Sequence, residues 1–249
     1  NPQWVLHQWY RTHSGFCITW YGSLRKCVIH VIVGDREKEV RMPSLIINGA
    51  IAVLTVGSWL MMALSEGDTR RLATRGLGSL KYFTVQSNLL SGCVSLVYLV
   101  RRLAVRTSAP AWLLAAKLVA TAAVMLTFWT VILLLGPKFG WRKMYVGGNF
   151  WMHLVLPLLA AWDCLLYAPV GTLPFAVTFL AMVPCVLYGL WYLGMIVRHG
   201  PVEGDKVYDF YGFLRWGSGK APLVFVVMQG ASWAMGLGLW LGSRAMGLA

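Results

Sequence analysis

The stretch AWLLAAKLVATAAVMLTFWTVILLL (Ala111–Leu135) decides the fold, because Lys117 is the single charge in the whole run. A helix needs about 20 mostly apolar residues to cross the hydrocarbon core of a bilayer, and this run is long enough. Working outward, five more stretches meet the same measure: Ser44–Leu64, Ser79–Val100, Asn149–Tyr167, Pro174–Val197 and Leu223–Leu241. Stop signals separate them. Arg101-Arg102 closes the second span, Gly136-Pro137 the third, and Ala168-Pro169 with Gly171 the fourth. The stretch Gly15–Gly34 is divided by Arg25 and Lys26 and reads as interfacial, with Trp20 and Tyr21 at headgroup level. The expected fold class is therefore all-α: a polytopic membrane protein, with a six-transmembrane-helix bundle over residues 44–249. Residues 1–43 form an N-terminal basic, aromatic interfacial region.

Composition agrees. Of 249 residues, 58% are hydrophobic and only 12% charged, against roughly 25% charged in soluble domains. Eight of the nine acidic residues fall between the apolar runs, and only Asp163 lies within one. The net charge of +13 is dispersed over the loops, where it suits anionic lipid headgroups; membrane lipids are the expected partners and nucleic acid is not. Basic residues divide ten against ten between the two sides, so charge asymmetry sets no orientation and names no membrane. The chain opens on Asn1, which is compatible with a removed targeting peptide. Cys17, Cys27, Cys93, Cys164 and Cys185 show neither CxxC nor Cys/His spacing, so no disulfide framework and no metal site is expected.

Two polar signatures interrupt the apolar spans: Lys81-Tyr82-Phe83-Thr84-Val85-Gln86-Ser87-Asn88-Leu89-Leu90 and Asn149-Phe150-Trp151-Met152-His153-Leu154-Val155-Leu156-Pro157. Polar groups inside a bilayer are costly, so an embedded one is a functional candidate. The second and fourth spans begin on the same side. With Ser79 and Asn149 as N-caps, Thr84 and His153 both lie roughly 6–8 Å below that surface. A threonine hydroxyl needs a base to become a nucleophile, and neutral imidazole is the usual one. Thr84 and His153 are thus the candidate catalytic pair, with Gln86, Asn88 and Asn149 as candidate orienting or oxyanion groups. Thr84, Asn88 and Ser91 form a polar stripe that faces the bundle interior, and helix–helix hydrogen bonding alone also accounts for Asn88 and Ser91.

Asp163 lies about 15 Å beyond His153 along its helix, too far to orient the imidazole, and reads as structural, pairing with Lys117 or capping a neighbour. Read alone, Lys117 is a snorkelling side chain. The run containing Tyr208, Phe210, Tyr211, Phe213 and Trp216 is too aromatic for a solvated linker, and reads as an interfacial belt or as a lid over the site. Gly230, Ala234, Gly238 and Gly242 recur every four positions and are expected to serve packing within the bundle. Pro157 and Pro184 are expected to kink their helices.

The segments Lys81-Tyr82-Phe83-Thr84 and His153-Leu154-Val155-Leu156-Pro157 resemble the androgen-induced-protein family of six-span membrane threonine hydrolases, together with its bacterial and protist relatives. The likeness covers roughly residues 44–241. It implies lipid-ester hydrolysis without a cofactor, in the animal members of fatty acid esters of hydroxy fatty acids, with Thr84 as nucleophile and His153 as base. Other membrane chemistries fit poorly. Haem ligation needs paired intramembrane histidines, whereas His7, His13, His30 and His199 all lie outside the spans. Intramembrane proteolysis needs carboxylate pairs or HExxH, and a transporter usually carries internal repeats. The rival reading is non-catalytic: an accessory subunit of a larger membrane complex, one that an organellar (mitochondrial) membrane would suit, packing against other membrane subunits through its thirteen tryptophans.

Overall fold

The computed structural model describes residues 42–64, 76–105, 108–203, 206–209, 211–212, 214 and 221–247. The expected interfacial region, apart from the last two of its 43 residues, lies outside the described residues, as do Phe210, Phe213 and Trp216. Ser44–Ala249 make one compact unit.

Among the described residues, six helices are long and apolar enough to cross a membrane: α1 (Met42–Leu64), α2 (Phe83–Val105), α3 (Ala111–Lys138), α4 (Gly148–Leu166), α5 (Phe175–His199) and α6 (Pro222–Ala245). The chain is an all-α bundle and reads as an integral, multi-pass membrane protein. Among the described residues outside the helices there is one two-residue antiparallel pairing, of Val202–Glu203 with Lys206–Val207, in the loop after α5.

The helix that decided the sequence reading is also the central one. More than half of the apolar window of α3 is buried (56%), against 22% for each of α1, α5 and α6. Ala120, Thr121, Ala122 and Ala123 are almost wholly enclosed, and such small side chains let neighbouring backbones approach. Along α3, Leu113 and Leu118 pack with Tyr98, Cys164 and Leu239, Val124 with Ile51, Val85 and Met152, and Leu126 with Phe83 and Cys185.

Pro137, Pro157 and Pro184 each change the helical register ahead of them. Proline lacks an N–H, and its ring crowds the carbonyl four residues earlier. Ahead of Pro137 the helix widens to π geometry over Val131–Leu135, and the Gly136 N–H reaches back five residues to the Val131 carbonyl. Ahead of Pro157 the same occurs over Trp151–Val155, with the Leu156 N–H bonded to the Trp151 carbonyl. Ahead of Pro184 the helix instead tightens: Phe175–Met182 is 3-10, and the Val183 N–H bonds the Leu180 carbonyl. The expected kinks thus take the form of changed helical registers.

The glycine stripe behaves otherwise than expected. Gly242 packs against Leu165, but a side chain added at Gly230 or Gly238 would meet nothing within 4 Å, and Ala234 is exposed. Close packing of α6 inside the bundle uses Gly236, against Ala181, instead. Most of the stripe therefore faces outward, because α6 turns its opposite face to α3.

Candidate functional site

The first turn of α2 is set by its neighbours. A 3-10 turn, Gly76–Lys81, leads into it, and the Tyr82 carbonyl accepts the N–H groups of both Val85 and Gln86 at 3.1 Å. Tyr82 therefore stands where Ser79 was expected to cap. Ser79 is wholly buried, and its hydroxyl accepts the Trp59 indole N–H at 3.1 Å. Thr84, the second residue of α2, is half-buried.

The start of α4 also shifts by one residue. Gly147 adopts φ 57° and ψ −135°, a conformation that suits glycine, so the helix begins at Gly148 and Asn149 lies inside its first turn. Gly148 is pressed onto α1, since a Cβ there would come within 2.7 Å of the Ser58 carbonyl oxygen. His153 sits at the middle of the π segment that Pro157 imposes. Its Nδ1 is buried and without a hydrogen-bond partner. Single π turns recur at functional sites.

Asn88 joins the two signatures. Wholly buried, it donates through Nδ2 to the Thr84 carbonyl at 2.8 Å and to the Met152 carbonyl, across the helix interface, at 3.2 Å. One amide thus holds the Thr84 turn of α2 against the residue preceding His153 on α4. The Thr84 carbonyl also accepts the Ser87 hydroxyl at 3.1 Å, while Asn88 Oδ1 is buried without a partner. Among the described residues, no hydrogen bond links the Thr84 hydroxyl to the His153 imidazole.

The other two candidate orienting groups stand apart from this bridge. Gln86 lies on the exposed side of α2 and donates its amide to the Leu80 carbonyl at 2.8 Å, back toward the loop. Asn149 is half-buried in the first turn of α4.

The aromatic loop docks on the same end of α2. The Tyr211 hydroxyl accepts the Phe83 N–H at 3.0 Å, so it caps an otherwise orphaned donor of the helix start. The Tyr211 N–H bonds the Tyr192 hydroxyl at 3.2 Å, and Tyr192 donates to Asp209 Oδ1 at 2.5 Å. Tyr188 donates to the Lys81 carbonyl at 2.7 Å, and its ring meets that of Tyr211 edge-on, with centroids 6.3 Å apart. Tyr211 is 37% exposed overall, yet desolvation of its enclosed hydroxyl pushes that group up to about 12. Desolvation likewise lowers the Lys81 ammonium. Tyr208, also in this loop, stacks on His199 with ring centroids 4.6 Å apart. Sequence reasoning missed Tyr188, Tyr192 and Asp209; the spacing of the two tyrosines, four residues apart on one helical face, was the available signal.

Beside this end of the molecule, α2 and α5 part to leave a crevice of about 290 Å³. Its walls carry matched spacing: Phe83, Gln86, Ser87 and Leu90 from α2 face Pro184, Leu187, Tyr188 and Trp191 from α5. Thr84 and His153 are not among its lining residues.

A second polar cluster lies toward the other end of α4. Asp163 is 0% exposed and Lys117 only 3%, so Lys117 does not snorkel; the two form an ion pair. Ser44 donates to Asp163 Oδ1 at 2.7 Å and Asn48 to Oδ2 at 3.0 Å. Lys117 also donates to Asn48 Oδ1 at 2.5 Å and stands over the Tyr98 ring, 4.6 Å from its centroid. Both carboxylate oxygens have donors, as a buried charge requires. Four helices meet at this lock. No group of three or more metal-ligating His, Cys, Asp or Glu side chains occurs among the described residues.

Comparison of the chain with protein-family models, with curated proteins and with solved structures finds no match.

Proposed function

We propose that this chain is an intramembrane lipid-ester hydrolase in which Thr84 is the nucleophile and His153 the base. The observation that carries the reading is the Asn88 bridge, which holds the turns of Thr84 and His153 together at one interface. Two further features support it. The Nδ1 of His153 is buried and uncommitted, and the Tyr211 loop is fastened to the residue before Thr84. The resemblance of the two signatures to the threonine hydrolases points to fatty acid esters of hydroxy fatty acids as the substrate class.

In this mechanism the Thr84 hydroxyl attacks the ester carbonyl and His153 takes its proton. Collapse of the tetrahedral adduct breaks the bond to the leaving alcohol, which receives that proton, and leaves an acyl-threonine. Water then attacks the acyl carbon, giving its proton to His153. The Thr84 ester bond breaks, the fatty acid leaves, and the proton returns to the Thr84 oxygen. Catalytic hydrogen bonds are often made only in the substrate complex, which fits a pair without a direct bond in the free protein.

The test is hydrolysis of a fatty acid ester of a hydroxy fatty acid by purified protein in vesicles. Product release should fall to background in Thr84→Ala and His153→Ala. Release that persists in Thr84→Ala contradicts the assignment.

A second reading, an accessory subunit of a larger membrane complex, is favoured by one observation. The outward glycines Gly230 and Gly238, with exposed Ala234 between them, offer a surface on which another helix can approach closely.

A further inference from the structure

We infer that the crevice between α2 and α5 binds one acyl chain of a carboxyl- or ester-headed amphiphile, with the polar head at the Lys81, Tyr188 and Tyr211 end. The inference deepens the hydrolase reading and rests on it for the identity of the reacting group.

The lining defines the occupant. Phe83, Leu90, Leu187 and Trp191 are apolar. Two polar donors along the walls are committed to the backbone: the Ser87 hydroxyl to the Thr84 carbonyl and the Gln86 amide nitrogen to the Leu80 carbonyl. A hydrocarbon chain needs no polar partner along this length. Leu187 is 62% exposed and Trp191 41%, so the crevice opens sideways, on segments that lie within the spans. At about 290 Å³ it sits at the lower bound of small-molecule sites, roughly 300–1,000 Å³, which suits a single chain rather than a two-chain lipid.

One end is different. Tyr188 lines the crevice and packs edge-on against Tyr211, while the Lys81 ammonium stands 5.4 Å from the Tyr82 ring centroid at the same helix start. The Lys81 cation, on the residue whose carbonyl Tyr188 bonds, matches an amphiphile whose head carries carboxyl oxygens. The slot also adjoins the proposed nucleophile. Phe83 and Ser87 flank Thr84 on α2, and the Ser87 hydroxyl is bonded to its carbonyl.

The experiment uses the full chain in phosphatidylcholine vesicles with a palmitate carrying a terminal diazirine. After irradiation, adducts should concentrate at the Leu90 and Pro184 end of the crevice, away from the head. Excess palmitate should suppress them about tenfold, and so should Leu187→Trp, which fills the slot. Leu193→Trp, on the opposite side of α5, should leave them unchanged. Adducts that excess palmitate does not suppress, spread evenly over lipid-facing positions such as Leu133 and Leu193, overturn the proposal in favour of bulk lipid. Cross-links from the crevice to a second copy of the chain overturn it in favour of a protein contact.

A parallel arm separates this inference from the function it rests on. Leu187→Trp should slow labelling of Thr84 by a long-chain fluorophosphonate about tenfold and leave a short-chain one unaffected; equal slowing of both contradicts the placement of the chain. If neither probe labels the unaltered protein, the hydrolase reading fails, and the diazirine map still decides the crevice.

Discussion

Asn88 and Asp163 show how the same chemistry, a buried polar side chain in an apolar bundle, serves two ends. Asn88 links two helices through backbone carbonyls and leaves one acceptor open beside a histidine whose Nδ1 is uncommitted. Asn88→Leu keeps approximate volume but removes the donor from the Met152 carbonyl. A loss of about 1–3 kcal/mol follows from leaving that acceptor unpaired, together with a fall in Thr84 reactivity. Chemical denaturation and the ester assay measure the two separately, and unchanged activity would free Asn88 from the site. Asp163, by contrast, has donors on both oxygens and holds a structure. Lys117→Met strands the carboxylate and should cost about 3–5 kcal/mol. The double substitution Lys117→Met with Asp163→Leu should recover most of that loss, because no buried charge remains. Thermal unfolding of both variants in detergent checks the ordering.

Between elements, the approach of backbones decides what is tolerated. A Cβ at Gly92 would fall 2.8 Å from the Thr55 side chain, whereas one at Gly230 would meet nothing. Gly92→Ala should therefore destabilise the bundle by about 1–3 kcal/mol, the usual cost of overpacking, and Gly230→Ala should leave the folded monomer unaffected. Melting temperatures of the two proteins give the comparison. Proline registers bear directly on the site. Pro157→Ala permits a regular helix through Trp151–Val155, which turns His153 by about one residue, roughly 100°, relative to the rest of α4. The protein should stay folded while its esterase activity falls. The six spans were legible from run length alone, and so was the facing of the Thr84–Asn88–Ser91 stripe. Helix starts were less so, because Tyr82 and Gly147 do the capping that Ser79 and Asn149 were expected to do. Neither residue has a side chain that advertises the role. The outward turn of Gly230 and Gly238 was also hidden, since a small-residue period does not say which side of a helix the core occupies.

Across the whole molecule, α3 runs as a central post, and two polar sites flank it toward opposite ends of α4. The lock at Lys117 and Asp163 was legible as a pairing, but its depth was not. Asn48 and Ser44, which allow the charges to stay buried, come from a span whose sequence marks them only as polar residues at a helix start. The end that carries Thr84 gathers the features a site needs: a bridged pair of turns, a π segment, a fastened aromatic loop and a lateral crevice. At the other end both oxygens of the buried Asp163 carboxylate have donors. This division of labour predicts that substitutions at the lock change stability at constant activity per folded molecule, and that substitutions near Asn88 change activity as well.

The most direct measurement is covalent labelling of the purified, vesicle-embedded protein with a fluorophosphonate, followed by peptide mapping of the adduct. A single adduct on the Thr84 side chain is predicted, lost in Thr84→Ala and strongly slowed in His153→Ala. An adduct on another residue, or labelling that survives Thr84→Ala, would contradict the account.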